Sequence, residues 1–308
     1  MPTSEGITMS SSQHRPVSRR QILAAGAAAA TVASVGIPPA VAGSAPPVSS
    51  HPAVGDLEAR TGARIGLSAR NLRTGSGLAH RVDERFPLCS TFKPLVAAAL
   101  LSRRVDLDEL IRYRSSDLVD YSPVTGERRA MTVGELADAA IRYSDNTAGN
   151  LLLRRLGGNR GPAALTAYLR SVGDDVTRLD RWETELNEGT PGDPRDTTTP
   201  RALAATYHRL LVGSVLPSRD RWVLTGWMQS NTTSVAKFRA GLPTGWWCAD
   251  KTGGGAYGTQ NDAGLITAPD GTRIGFTILT RASMTDPDAV GDPTLMRSLA
   301  ELLVAELG

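Results

Sequence analysis

Ser90 and Lys93 lie three positions apart, just before an apolar segment that runs from Pro94 to Leu101. On a helix, residues i and i+3 are neighbours at about 5–6 Å between Cβ atoms. A buried helix start lowers the pKa of a lysine by desolvation, and a neutral amine can then accept the serine proton. The free N–H groups of a helix N-terminus can also stabilise an oxyanion. The pair is compatible with a nucleophilic serine, but taken alone it fits better a helix-capping serine beside a lysine whose head reaches solvent.

The other basic residues sharpen this interpretation. Neither His-Glu-x-x-His nor Gly-x-Ser-x-Gly occurs, so a Ser-His-Asp triad and a histidine-built metal site are weakly supported. Of the 34 basic residues only Lys93, Lys237 and Lys251 are lysines. Lysine, unlike arginine, can lose its proton when it is desolvated. A lysine or a glutamate is therefore the expected base of any hydrolytic reaction.

Four short motifs follow one another along the chain. They are Ser90-Thr91-Phe92-Lys93 (S-x-x-K), Ser144-Asp145-Asn146 (S-D-N), Glu183-Thr184-Glu185-Leu186-Asn187 (E-x-x-L-N) and Lys251-Thr252-Gly253 (K-T-G). Their order and approximate spacing are those of the class A serine β-lactamases, which the chain resembles over nearly its whole length after residue 42. The resemblance implies hydrolysis of β-lactams by a secreted enzyme, and it requires no metal or cofactor.

The resemblance also implies catalytic roles. Ser90 attacks the lactam carbonyl, and either Lys93 or Glu183, acting through a water, accepts its proton. Glu183 and Asn187 then activate the water that hydrolyses the acyl-enzyme. Ser144 passes a proton to the leaving nitrogen.

The remaining site residues would bind the substrate. The resemblance assigns Asn146 to the substrate amide and Lys251 with Thr252 to the carboxylate. The backbone N–H groups of Ser90 and Gly254 form the expected oxyanion hole. Gly253, Tyr121 and Lys237 complete the set. Tyr121 is either a wall of the cleft or an ordinary half-buried aromatic residue, and Lys237 is hypothesised to assist in binding the carboxylate.

Three residues are expected to be structural. Arg181 and Asp196 bracket a long polar segment, residues 178–196, and we expect them to form an ion pair that clamps it. Asp145 is expected to accept hydrogen bonds that hold its own loop.

The sequence departs from the family at several positions. Gly254 lacks the hydroxyl that is common after K-T-G, and Gln260 stands where many members have arginine. One branch of the family joins a cysteine at the position of Cys89 to one at the position of Gly255. Cys248 lies seven residues before Gly255, about 23 Å away at strand rise, so a disulfide to Cys89 is not expected.

The elements that must position these residues follow from hydrophobic patterning. Strand patterns occur at both ends of the chain, at 64–71, 77–82, 246–252, 261–267 and 273–280, and helical patterns dominate 91–156 and recur at 162–172, 200–211, 219–229 and 293–307. We therefore predict an α+β fold of the β-lactamase/transpeptidase type. Its antiparallel sheet is built from both chain ends and flanked by helices, with a helical subdomain between them.

The domain boundaries follow from the same patterns. Residues 1–42 resemble a twin-arginine signal peptide, with Arg19 and Arg20 before an Ala-rich run and Ala40-Val41-Ala42 as the cleavage site. Residues 43–52 look like a linker. The catalytic domain is expected over 53–308, with a sheet subdomain (53–86 and 200–308) and a helical subdomain (87–199).

Composition limits the partners. The net charge is +3, of which residues 1–42 supply +2, so a clustered basic face for nucleic acid or a membrane surface is not expected. The apolar run in the leader is too short for a stable span. We expect a monomer in the cell-envelope space or outside the cell, acting on a small β-lactam.

Two other functions share part of the pattern. A D-Ala-D-Ala peptidase or penicillin-binding protein has the serine, the lysine and K-T-G but generally lacks the loop glutamate. A non-catalytic penicillin sensor on the same fold would be acylated without turnover. Glu183 and Asn187 favour the β-lactamase over both.

Overall fold

The computed structural model describes residues 50–308, and the predicted leader and most of the linker lie outside this range. Five antiparallel strands form the central sheet in the order β2-β1-β9-β8-β7. They are β1 (Arg64–Asn71), β2 (Gly77–His80), β7 (Trp247–Gly255), β8 (Thr259–Thr267) and β9 (Arg273–Arg281). Leu67 of β1 pairs with Ile278 of β9, which joins the two ends of the chain in one sheet. The predicted α+β architecture is confirmed.

Helices cover both faces of this sheet. Helices α1 (Pro52–Thr61) and α8 (Leu295–Leu307) pack on one face, where Leu57, Phe276 and Leu299 share a buried cluster. Helix α6 (Pro200–Leu211) lies on the other face. A Cβ at Gly66 would lie 2.5 Å from the ring of Phe86 and 2.7 Å from Pro200, so a larger residue there would collide with both. Coverage on both faces explains why the strands are apolar rather than strictly alternating.

The helical part surrounds one fully buried helix. Helix α2 (Lys93–Ser102) is apolar all round after Lys93, and every residue from Lys93 to Leu101 is buried. Its neighbours are α3 (Val133–Arg142), α4 (Asn146–Gly157), α5 (Gly161–Ser171) and α7 (Ser218–Gln229). Thr132 and Glu135 form a capping box that begins α3. The core helix therefore holds its first residue, Lys93, away from water.

Two sequence expectations for secondary structure were wrong. Residues 103–132 contain no α-helix, because they form loops, two short 3₁₀ turns and the paired strands β4 (Leu110–Arg112) and β5 (Ala130–Thr132). Helix α1 was not predicted, and it begins at the end of the proposed linker. A further short pair, β3 (Phe86–Pro87) and β6 (Thr197–Thr198), ties the chain before Ser90 to the residues that follow the polar 178–196 segment.

No helix within residues 50–308 is long and apolar enough to cross a membrane.

Candidate active site

Ser90 lies in a short 3₁₀ turn, Cys89–Phe92, that leads directly into α2. The predicted proximity of the pair is present, since Lys93 Nζ donates to Ser90 Oγ at 2.9 Å. Cys89, immediately before the serine, has a φ of 45°, which is unusual for a residue other than glycine. The chain thus turns sharply so that Ser90 and Lys93 meet at the start of the core helix.

Lys93 has four oxygen neighbours besides the serine. Its Nζ donates to Asn146 Oδ1 at 2.6 Å and to Ser144 O at 2.8 Å, and it lies 3.5 Å from Ser144 Oγ and 3.1 Å from Glu183 Oε1. Burial lowers the pKa of Lys93, while the Glu183 carboxylate opposes that shift. The lysine is therefore placed to exchange a proton with groups on three different segments of the chain.

Glu183 is buried beside both Ser90 and Lys93. Its Oε1 accepts from Ser90 Oγ at 3.4 Å, and its Oε2 accepts from Asn187 Nδ2 at 2.6 Å. The main chain of Glu183 bonds Asn150 of α4 in both directions, at 2.9 Å each. Asn150 was not recognised in the sequence, because it belongs to no motif. It fixes the glutamate against a rigid helix and so sets the carboxylate beside the nucleophile.

The polar segment 178–196, which we call the omega loop, is clamped at its ends. Arg181 Nε lies 2.6 Å from Asp196 Oδ2, so the predicted ion pair is present. The side chain of Asp196 is only 1% exposed. Its Oδ1 also accepts from the backbone N–H groups of Asp180 and Arg181. Because this carboxylate is buried and fully bonded, the pair contributes more to holding the loop than an exposed ion pair would.

Lys251, on β7, approaches the cleft from the opposite wall. Its Nζ donates to Ser144 Oγ at 3.0 Å and to Thr252 O at 2.9 Å. Burial, followed by the nearby positive charge of Lys93, lowers the pKa of Lys251 to about 7. Behind it lies Asp262, whose pKa burial raises well above its usual range. The Ser144 hydroxyl thus lies between two buried amines.

The cleft itself is a cavity of about 330 Å³. Its lining residues are Ser90, Tyr121, Ser144, Asn146, Asn187, Thr233, Lys237, Thr252, Gly253, Gly254, Thr259 and Gln260. Tyr121 is 63% exposed and stands at the mouth. A larger cavity of about 470 Å³ lies near Arg104 and Pro217, but it contains none of the four motifs. The reactive side chains that line the smaller cavity, and not the cavity volume, therefore identify the candidate site.

Thr233 is a cleft residue that the sequence did not reveal. Its hydroxyl shares a hydrogen bond with the Thr252 hydroxyl. It lies in an irregular stretch with no recognisable spacing to the K-T-G motif. Only the fold brings it beside β7, where it extends the row of donors begun by Lys251 and Thr252.

Asp145 stabilises the loop that carries Ser144. It caps α4 by accepting from Ala148 N, and its two oxygens also accept from Val124 N, Thr125 N and Thr125 Oγ1. Ser144 itself has a φ of 60°. The carboxylate therefore fixes the strained turn that points Ser144 between the two lysines.

Cys89 and Cys248 are both free and buried, in agreement with the expectation that they do not pair. Burial raises the pKa of each thiol, which leaves both thiols protonated near neutral pH. A Cβ at Gly255 would lie 2.9 Å from Cys89 Sγ. Position 255 is thus the neighbour of Cys89 across the fold, and glycine there has no sulfur to offer. Within residues 50–308 no group of three or more His, Cys, Asp or Glu side chains could hold a metal ion.

The fold and this site together define a protein of the class A serine β-lactamase type. Residues 52–307 match the β-lactamase enzyme family, and the chain belongs to that family. A β-lactamase of Streptomyces lavendulae is 48% identical over 306 residues, which covers 94% of this chain and 97% of the relative.

Solved structures agree with this assignment. The β-lactamase of Streptomyces albus G superposes with a TM-score of 0.80 at 46% identity, over 83% of this chain and 98% of that one. An ancestral class A β-lactamase superposes with a TM-score of 0.77 at 50% identity, over 82% and 98% of the respective chains.

Proposed function

We propose that the protein hydrolyses β-lactams through an acyl-enzyme on Ser90 and thereby confers β-lactam resistance. The observation that carries this proposal is the position of Glu183, whose carboxylate contacts both Ser90 Oγ and Asn187 Nδ2. A carboxylate so placed can activate a water against the acyl-enzyme ester. A penicillin-binding peptidase or a sensor needs no such group, so the pair Glu183 and Asn187 argues for turnover.

Acylation begins with attack of Ser90 Oγ on the lactam carbonyl. The serine proton passes to Lys93 directly or to Glu183 through a water, and both acceptors lie within reach of the hydroxyl. The backbone N–H groups of Ser90 and Gly254 stabilise the oxyanion. As the lactam C–N bond breaks, Ser144 gives its proton to the leaving nitrogen and is reprotonated from Lys93 or Lys251.

Deacylation reverses the direction of proton flow at Ser90. Glu183 removes a proton from the water as the water attacks the ester carbonyl, with Asn187 orienting both. The serine oxygen leaves and regains a proton, which Glu183 returns directly or through Lys93, so that the enzyme ends the cycle in its starting protonation state. Fixing Glu183 through Asn150 and clamping its loop through Arg181 and Asp196 keeps the water and the ester in attacking geometry.

Substrate binding uses the opposite wall. The substrate carboxylate binds Lys251, Thr252 and Lys237, and Thr233 adds a hydroxyl to that set. Asn146 contacts the substrate amide, and Tyr121 borders the mouth. Gly253 and Gly254 present their backbone to the substrate.

The decisive experiment is intact-mass analysis of the mature protein over time after one equivalent of benzylpenicillin. Wild type should return quickly to its free mass, whereas Glu183→Gln should remain acylated at Ser90. Glu185→Gln is the matched control, because Glu185 is an exposed carboxylate two residues away and should turn over like wild type. Persistent acylation of all three proteins would indicate a peptidase or sensor, and no acylation of any would exclude Ser90 as the nucleophile.

We also propose export by the twin-arginine route, with a mature protein that begins near Gly43 and acts as a monomer in the cell envelope or outside the cell. The proposal relies on the Arg19-Arg20 pair and the Ala40-Val41-Ala42 sequence. Replacing both arginines with lysine should retain the protein in the cytoplasm with an uncleaved leader. Mass analysis of secreted wild type locates the cleavage site, and its size in solution tests the monomer.

A further inference from the structure

A second cavity, of about 290 Å³, lies beside the omega loop and shares no lining residue with the catalytic cleft. Its lining residues are Arg64, Glu84, Arg85, Phe86, Gly192, Asp193, Pro194, Thr197, Arg281 and Met284. Part of the lining comes from the omega loop and part from the ends of β1 and β9. We call it the loop cavity.

The loop cavity contains more positive than negative charge. Three arginines face two carboxylates, and each carboxylate already has a partner. Glu84 accepts both hydrogen bonds of an Arg64 fork, and Asp193 accepts from Arg195, which does not line the cavity. Arg85 donates only to neutral oxygens, Val176 O at 3.2 Å and Thr197 Oγ1 at 3.0 Å.

Arg281 is the unusual member of this group. It is only 7% exposed, and no carboxylate of the described residues lies within ion-pair distance of it. Its guanidinium donates to Gly189 O at 2.9 Å and approaches Met284 Sδ, while its Nε is buried without a hydrogen-bond partner. The ring of Tyr257 lies 5.7 Å away and compensates the charge only in part.

The register of the strands places a second positive charge opposite Arg281. Arg64 and Arg281 are direct partners across β1 and β9. Like charges in opposite positions of an antiparallel pair destabilise the sheet. Glu84 compensates Arg64, but nothing comparable compensates Arg281. An anion placed against a buried guanidinium of this kind would stabilise it.

We propose that the loop cavity binds a small organic carboxylate, with the Arg281 guanidinium as its counter-ion. The planar guanidinium matches a carboxylate in two parallel hydrogen bonds. Arg85 offers a second cation. Phe86, Pro194 and Met284 supply apolar surface for the body of the ligand, which favours an aryl or alkyl carboxylate over inorganic phosphate.

The occupant would also connect the omega loop to the sheet. Arg281 already holds Gly189 of that loop, and Arg85 holds Thr197 near its end. A carboxylate bound to these arginines would draw both contacts together. Binding at this position therefore restrains the loop without entering the catalytic cleft.

The test is a titration of the ¹⁵N-labelled mature protein with sodium benzoate, with sodium phosphate and with sodium chloride at equal ionic strength. Benzoate should shift the amide signals of Gly192, Thr197 and Arg281 saturably, with a dissociation constant of about 1 mM. Cleft binding is distinguished by the signals of Thr233 and Gly254. Chloride should have no saturable effect.

Variants localise the effect. Arg281→Gln should weaken benzoate binding at the loop cavity at least tenfold. The matched control Arg201→Gln removes an exposed arginine that pairs with Asp83, outside the loop cavity, and should bind like wild type. Should Arg281→Gln fail to fold, Arg85→Gln, at an exposed position, carries the same expectation. Absence of saturable shifts in wild type, shifts with phosphate alone, or undiminished binding in the folded variants would each overturn the proposal.

Discussion

The two walls of the catalytic cleft each present one buried lysine, but their surroundings differ. Lys93 has a carboxylate partner, since Glu183 Oε1 lies 3.1 Å from its Nζ. Lys251 donates only to the neutral oxygens of Ser144 and Thr252. Lys93 therefore has a carboxylate in direct contact, whereas Lys251 has none within ion-pair distance among the described residues, and Asp262 and Asp250 act on its charge only from farther away.

This difference separates two tasks. A lysine and a glutamate that contact each other and the same serine can exchange protons without any change in the total charge of their wall. A lysine without a carboxylate in contact gains most when a substrate carboxylate arrives, and that carboxylate will in turn raise the pKa of Lys251. We infer that the first wall performs proton transfer and the second performs binding. Four measurements test this division.

The largest effect should follow removal of the amine on the first wall. Lys93→Met leaves Ser90 without its nearest proton acceptor and leaves Glu183 without its partner. The acylation rate constant should fall by about 10²–10⁴. Stopped-flow measurement of single-turnover acylation checks this, with thermal unfolding as a control for folding. A rate within threefold of wild type would remove Lys93 from the chemistry.

Removing the amine on the second wall should act mainly on substrates that carry the carboxylate. Lys251→Met removes the amine that pairs with the substrate carboxylate in the buried cleft, and the loss of one partner of such a pair costs about 2 kcal/mol or more of binding free energy. The value of kcat/KM should fall about 30-fold or more. The methyl ester of the same penicillin is the control. Wild type should lose a similar factor in kcat/KM when the free acid is replaced by the ester, whereas kcat/KM of the variant should differ little between the two substrates. An equal loss on both substrates would contradict a binding role.

The pH profile should report Lys251. Its pKa of about 7 means that the amine is charged below that pH and neutral above it. For a carboxylate substrate, kcat/KM should decline about fivefold between about pH 7 and pH 8. Lys251→Arg, which stays charged, should abolish this alkaline limb even if its absolute rate is lower. A limb that persists in the arginine variant belongs to another group.

The smallest effect is expected at the rim. Lys237 lines the cleft but is exposed, so its charge is screened by solvent. Lys237→Met should raise the KM for benzylpenicillin about two- to threefold and leave kcat unchanged. Steady-state kinetics at low ionic strength gives the greatest sensitivity. An unchanged KM would show that Lys251 and its hydroxyl neighbours bind the carboxylate without help from Lys237.

Local patterns in the sequence predicted much of the fold. Strand β1 was predicted with its observed bounds, 64–71, because the apolar residues Ile65, Leu67 and Ala69 alternate along it and fit one side of a pleated surface. The expectation of helix over 103–132 failed, because apolar residues of that region, such as Tyr113 and Met131, pack onto the helical core from loops and short strands. Helix α1 was missed because its amphipathic character is weak and its stability depends on packing against α8.

The candidate site divides in the same way. Motif residues such as Ser90, Glu183 and Lys251 were recognisable, since their chemistry needs particular side chains at particular spacings. Asn150 and Thr233 were not, because their contribution is a position in space. Asn150 is one of many polar residues on a helix until the omega loop folds against it.

The sequence by itself determined the class of chemistry, the two chain ends that form the sheet and the clamp across the omega loop. These depend on residue type and local periodicity, which the chain carries without folding. Only the tertiary structure decided that Lys93 has a carboxylate partner in contact and that the buried Arg281 has none within residues 50–308. Charge balance within a buried site depends on distances of a few ångströms between residues far apart in the chain. Burial strengthens the electrostatic interaction between two charges at any such distance.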